Sequence, residues 1–433
     1  MRNDIVSIGA DELKYEIREI VAVAKEFGKL GLDIVWENIG DPVQKGEKIP
    51  DWIKDIVIEA NRDNASYAYS PTKGLEATRE FLAQIAIKNG NVKITKEDII
   101  FFNGLGDAIS KLYGQLRKEY RVIGPSPAYS THSSAEAAHA GAEYISYNLN
   151  PHNHWYPDLA DLRMKVKYNP AVSGILIINP DNPTGAVYPK EILREIVAIA
   201  REFDLFLVSD EIYINLTYNG TKAVPLAAVI NDVCGIAMKG ISKELPWPGA
   251  RCGWMEVYNE RKDLVFAKYV KSILDDKMLE VCSTTLPQKV IPTIMGDSRY
   301  EAHIEKRNKT YERRSSFAYD LLKDVDGIVV NRTNGAFYMT VMFEEGVLND
   351  RQVLPIADPE VKRYAEQITK NVALDKRFVY YLLAASGICV VPLTGFNCSL
   401  KGFRITLLES DEKRFDEIFR TVREKIVEYL KSA

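Results

Sequence analysis

Between residues 72 and 310, short apolar runs alternate with longer stretches in which apolar side chains recur every three or four positions. The runs lie at 120–124, 143–147, 174–179, 205–210, 233–238 and 253–257, and read as strands. The stretches between them, at 74–88, 107–118, 189–203 and 260–274, carry an apolar stripe of helical period. This alternation predicts an α/β fold, with a mostly parallel sheet covered by helices on both faces.

The pattern changes after residue 310. A helix is predicted over 311–324, followed by short strands at 327–331, 336–343, 387–391 and 402–407 and a closing amphipathic helix at 411–431. That set reads as a smaller α+β domain. A helix over 11–29, ended by Gly28 and Gly31, is expected to return to it. The predicted division is therefore a large domain at 45–310 and a small one built from 1–44 and 311–433. The charged stretch 344–374 is expected to be an irregular insertion.

With 433 residues the chain is longer than one core usually supports, which agrees with two domains. A net charge of −4 with no basic stripe gives no footprint for nucleic acid. The five cysteines, at 234, 252, 282, 389 and 398, form no CxxC pair and read as reduced thiols. The first residues lack the apolar core of a signal peptide, and 379–391 is too short and mixed to span a bilayer. A cytoplasmic location without membrane attachment is the expectation. His152 and His154 form an HxH pair with no third ligand nearby, so solvated histidines are expected and no metal site.

The chemistry gathers around one lysine. Lys243 stands in Gly240-Ile-Ser-Lys243, and Arg251 follows eight residues later in Pro248-Gly249-Ala-Arg251. Upstream are Asp210-Glu-Ile-Tyr213 and Asn179-Pro-Asp-Asn182-Pro183-Thr-Gly185. A lysine that bonds to an aldehyde cofactor needs a carboxylate, hydroxyls and an arginine around that cofactor's ring and phosphate. Asp210 closes an apolar strand, at the edge where open parallel sheets bind ligands, although a lone aspartate there is more often a cap. Asn182 and Tyr213 could hydrogen-bond a ring oxygen; an isolated Asn-Pro-Thr-Gly is commonly only a turn. Arg251 offers a planar fork for phosphate, or is a solvated loop arginine. Asn103-Gly104-Leu105-Gly106 precedes a helix whose N–H groups would hold a phosphate; a dinucleotide loop is the weaker alternative, since the third glycine is absent. Arg404, between apolar neighbours on a predicted strand, either binds a substrate carboxylate or faces solvent at a sheet edge.

Together these residues, from Asn38-Ile-Gly40-Asp-Pro to Gly402-Phe-Arg404, resemble the class I/II aminotransferases of pyridoxal-phosphate fold type I. The resemblance spans nearly the whole chain. It implies that Lys243 forms the Schiff base with pyridoxal 5'-phosphate and then carries the proton between Cα and C4′. It implies further that Asp210 pairs with the pyridine nitrogen, and that Asn182 and Tyr213 contact the ring oxygen. Tyr129 would stack on the ring. Gly104, Leu105 and Gly106 would meet the phosphate beside Arg251, and Arg404, Asn182 and the Gly40 backbone would hold the substrate carboxylate. Tyr69 matches a tyrosine that reaches the phosphate from the neighbouring subunit, which implies a homodimer with shared sites.

Two positions depart from the family pattern: Gly240 replaces a usual serine, and Gly106 a frequent hydroxyl or lysine. Backbone N–H groups, Arg251 and Tyr69 are then expected to carry the phosphate. The segment 383–396 resembles the alanine aminotransferase version of this region, and Asn334-Gly-Ala-Phe-Tyr338 fits it loosely. Alanine–glutamate exchange leads over aspartate or aromatic substrates and over a lyase or decarboxylase on the same scaffold. A transcriptional regulator would need a DNA-binding domain, for which the forty residues before Gly40 leave no room, and a binding protein of this fold would be expected to lack Lys243.

Overall fold

The computed structural model describes residues 6–7, 9–13, 16–90 and 92–432. Its centre is an eight-stranded sheet. In spatial order the strands are Ile99–Phe102, Gly253–Tyr258, Gly235–Gly240, Phe206–Asp210, Val172–Ile178, Arg121–Ser126, Ser146–Asn150 and Tyr156–Pro157. Five adjacent strands, from Gly235–Gly240 to Ser146–Asn150, run parallel. Gly253–Tyr258 is antiparallel to both of its neighbours.

Both faces of this sheet are covered, which explains the unbroken apolar runs in the sequence. Leu176, Ile178, Val208, Ile236 and Met238 point to one side, against helices Leu105–Gly114 and Leu264–Met278. The alternate residues Ile175, Ile177, Leu207 and Ala237 join the larger core on the other side. From Arg121–Ser126 the chain builds outward in both directions, to Ser146–Asn150 on one flank and to Val172–Ile178 on the other. The loops at the carboxyl ends of the central strands diverge at such a reversal and leave a crevice.

A separate antiparallel sheet has the order Ile328–Val330, Tyr338–Phe343, Gly402–Thr406, Val391–Pro392. Val35–Trp36 pairs in parallel with Ile388–Cys389, and the Thr406 N–H donates to the Glu37 carbonyl at 3.0 Å. These pairings bring the segment after residue 36 alongside the strand that carries Arg404.

Several sequence expectations need correction. The stretch 344–374 is not irregular throughout, because Pro359–Ile368 is a helix. Asp358 caps it, accepting from the N–H groups of Glu360 and Val361, with proline at the first helical position. The strand read at 143–147 sits at Ser146–Asn150, and that read at 233–238 at Gly235–Gly240. The helix read at 311–324 begins earlier, at Tyr300, so it runs through residue 310. The strand Ile99–Phe102 and the helices Asp51–Asn61, Ser130–Ala140, Leu159–Tyr168, Thr285–Met295 and Leu374–Ser386 were not anticipated. The N-terminal helix runs Glu16–Lys29; Lys14 and Tyr15, inside the stretch read as helical, lie outside the described residues.

Candidate active site

Lys243 follows the strand Gly235–Gly240 and lies where that sheet edge meets the segment 38–41. Its Nζ donates to the Gly40 carbonyl at 2.7 Å and sits 5.8 Å from the centre of the Phe337 ring. Burial, reinforced by the charges of Arg404 and Arg251 and opposed by those of Asp41 and Asp210, lowers its pKa to about 8. Lys243 is partly exposed, and about a tenth of its amine is neutral at pH 7, far more than for an ordinary lysine.

Asp210, the last residue of Phe206–Asp210, is buried. Its Oδ1 accepts from the Ile212 N–H at 3.1 Å, and its Oδ2 lies 3.1 Å from Nε2 of His132. The other ring nitrogen of His132, Nδ1, is 3.3 Å from the Tyr113 hydroxyl. Burial pushes the Tyr113 phenol well above its ordinary range, so it keeps its proton and can donate it to Nδ1. With Nε2 facing the Asp210 carboxylate, both contacts are satisfied when His132 carries its proton on Nε2 and accepts at Nδ1. Neither His132 nor Tyr113 was picked out from the sequence. The signal available was a lone histidine three residues after Tyr129, in a helix whose buried face is polar.

Asn182 meets Arg404 directly, and Tyr213 is linked to it through Tyr338. Arg404 Nη1 donates to Asn182 Oδ1 at 3.3 Å, and Nη2 to the Asn38 carbonyl at 2.5 Å. Arg404 lies on an inner strand of the four-stranded sheet and is 2% exposed, which excludes the solvent-facing alternative. Its Nε and both polar side-chain atoms of Asn38 are buried without partners among the described residues. Buried groups of this kind call for a polar ligand. Tyr338, a further residue missed in the sequence, places its hydroxyl 3.1 Å from that of Tyr213 and its ring 4.5 Å beneath the Arg404 guanidinium.

Gly104, with φ of +82°, caps the helix Leu105–Gly114, so Gly106 falls inside the first turn. A Cβ at Gly104 would lie 2.6 Å from Arg251 Nη2; the guanidinium packs on the bare backbone at the positive end of that helix. Arg251 is exposed and donates to the Pro248 carbonyl at 3.1 Å. Helix N–H groups beside a guanidinium with no ion pair among the described residues fit a phosphate. Tyr129 caps the helix Ser130–Ala140, its ring 6.4 Å from that of His132. Tyr69 stands apart, 84% exposed, on a segment pinned to the Arg251 side through the Thr285 hydroxyl and the Ala68 carbonyl. His152 and His154 are exposed on a surface turn.

The family model for aminotransferases of class I and II matches residues 33–421. The chain belongs to that family. A 61% identical relative, covering all of both chains, is an uncharacterized aminotransferase of Methanocaldococcus jannaschii. The glutamate-pyruvate aminotransferase AlaA of Escherichia coli strain K12 is 32% identical over 75% of this chain and 79% of its own. Among solved structures, an alanine aminotransferase from Pyrococcus furiosus superposes with a TM-score of 0.83 at 26% identity, over 99% of this chain and all of the other. This aminotransferase is accordingly a pyridoxal-phosphate-dependent transaminase of fold type I.

Proposed function

We propose that this transaminase moves an amino group between alanine and 2-oxoglutarate, with Lys243 as the residue that bonds to the cofactor and carries the proton. The observation that carries the reading is the Lys243 amine, brought down to about 8 and set among Asp210, Arg251 and Arg404. When bound, pyridoxal phosphate supplies an electron sink for the bonds at the substrate's Cα. Asp210, held by His132 and the Ile212 N–H, keeps a carboxylate where a protonated ring nitrogen needs one. Arg251 and the N–H groups at Gly104, Leu105 and Gly106 would neutralise the phosphate, and Tyr213 and Asn182 would donate to the ring oxygen. Tyr129 would cover one ring face. Arg404, with Asn182 and the Gly40 backbone, would take the substrate carboxylate, whose oxygens can accept from the orphaned Arg404 Nε and Asn38 Nδ2.

The exposed Tyr69 suits the shared-site homodimer, in which it would reach the phosphate of the partner. The cytoplasm is the proposed location; no helix among the described residues is long and apolar enough to cross a membrane. The relatives named for alanine or pyruvate support the substrate pair. Absorbance of the bound cofactor tests it. L-alanine and L-glutamate should each convert it to the amino form, with pyruvate and 2-oxoglutarate restoring it. A kcat/KM about tenfold higher for aspartate or an aromatic amino acid would replace the substrate assignment.

The two departures in the phosphate region are not equivalent. A side chain added at Gly106 meets nothing within 4 Å, whereas one at Gly240 would lie 2.9 Å from the Cys252 carbonyl oxygen. Gly106→Ser is therefore expected to add a donor and tighten cofactor binding about fivefold, measured as a dissociation constant. Gly240→Ser should instead cost about 1–3 kcal/mol in thermal or denaturant unfolding, because the backbone of the adjacent strand cannot withdraw.

A further inference from the structure

We propose that Tyr338 is a positioning residue: it ties the carboxylate-binding Arg404 to Tyr213 and sets the strength of the hydrogen bond that Tyr213 gives the cofactor's ring oxygen. The inference rests on the aminotransferase site assigned above. Tyr338 opens the strand Tyr338–Phe343, which pairs with Gly402–Thr406 so that Thr340 lies opposite Arg404. This register places the Tyr338 ring 4.5 Å from the guanidinium, with the Phe396 ring 5.1 Å away. The far end of the ring reaches the substrate segment, since a Cβ at Gly40 would lie 2.2 Å from the Tyr338 hydroxyl. One residue thus touches Arg404, the Gly40 backbone and Tyr213.

Proton counting gives the direction of the effect. Burial raises the pKa of both phenols, so both hydroxyls keep their protons. They share one contact, at 3.1 Å, and neither has another protein acceptor among the described residues. Two protons and one mutual hydrogen bond leave one proton for the cleft. With Tyr338 as donor, the free proton belongs to Tyr213, whose oxygen is polarised by the bond it accepts, and Tyr213 becomes the stronger donor. The charged and titratable groups facing the pair are Arg404, Asp41, Tyr129 and Asp210. Arg404 is the one in ring contact, and its positive charge strengthens Tyr338 as a donor. A carboxylate bound at Arg404 offsets that charge, so the message passes from Arg404 through Tyr338 to Tyr213.

The test is a pH titration of the cofactor's near-visible absorbance in the holoenzyme, with and without the unreactive dicarboxylate maleate. Tyr213 as donor stabilises charge on the ring oxygen and lowers the midpoint. Tyr338→Phe should raise the midpoint by about half a pH unit and at least halve the change that maleate produces. Tyr213→Phe should raise it further, and the double variant should match Tyr213→Phe alone. A Tyr338→Phe midpoint and maleate response equal to wild type, or an effect of Tyr338→Phe that persists without the Tyr213 hydroxyl, would overturn the inference while leaving the site assignment intact. A wild-type protein that acquires no cofactor absorbance would overturn both.

Discussion

Lys243→Ala should lose at least about 10⁵-fold in kcat/KM, together with the near-visible absorbance of the bound cofactor. Two separate functions disappear with one amine. The covalent attachment is lost, and so is a base held in place at the substrate's Cα rather than recruited from solution. No neighbour can substitute. Arg404 and Arg251 are too basic to accept a proton at neutral pH, and the nearby tyrosines are held protonated by burial. The same amine predicts how the apoprotein takes up cofactor. Burial favours neutral Lys243, so the group is charged below about pH 8 and neutral above it. The uptake rate should rise with pH through 8 and then level, because only the neutral amine attacks the aldehyde. At pH 7 about a tenth of the lysine is neutral, so uptake there should run near a tenth of the plateau. Stopped-flow absorbance reads this directly. Turnover retained in Lys243→Ala, or uptake independent of pH between 6.5 and 9, would remove the lysine from its assigned place.

The sequence named the residues of the candidate site more fully than the scaffold around them, for physical reasons that differ from element to element. Strands such as 174–179 and 205–210 were legible because both faces are buried, which leaves a continuous apolar run and few alternatives. Helix Ser130–Ala140 was not, because it buries Ser130, His132, Ser133, Ser134 and Glu136; its inner face is polar and carries no hydrophobic period. His132 was lost with it. Helix Pro359–Ile368 failed in the opposite way. Its outer face is charged enough to resemble a loop, although Asp358 before Pro359 is a start signal that could have been used. Arg404 looked ambiguous because solvent-facing and ligand-binding arginines read alike along a strand. Only the neighbouring strands, which place it second from an edge under Asn38 and Tyr338, rule out the solvent-facing reading. Tyr338 could not be assigned from its motif at all, since its partners Tyr213 and Arg404 are 125 and 66 residues away and meet it only through tertiary packing.

Asp210→Asn should lower kcat/KM about 10³-fold while leaving the fold intact, the scale expected when one fixed electrostatic partner of the reacting system is removed. The substitution keeps shape and volume but removes the charge, and it also disturbs the proton arrangement behind it. In the native site both carboxylate oxygens accept, one from the Ile212 N–H and one from His132 Nε2. An amide has one acceptor and two donors. With its oxygen toward Ile212, its NH₂ faces Nε2, and His132 must move its proton to Nδ1. The Tyr113 hydroxyl then has to accept rather than donate, although it is buried and still protonated. Turning the amide over relieves His132 and leaves the Ile212 N–H facing a donor instead. Either way a buried partner is lost, at a cost of about 1–3 kcal/mol in stability. Nitrogen-15 NMR of histidine-labelled protein distinguishes the two outcomes, since the first exchanges the protonated nitrogen of His132 and the second does not. Activity within about tenfold of wild type at saturating cofactor would show that Asp210 holds no charge the reaction depends on.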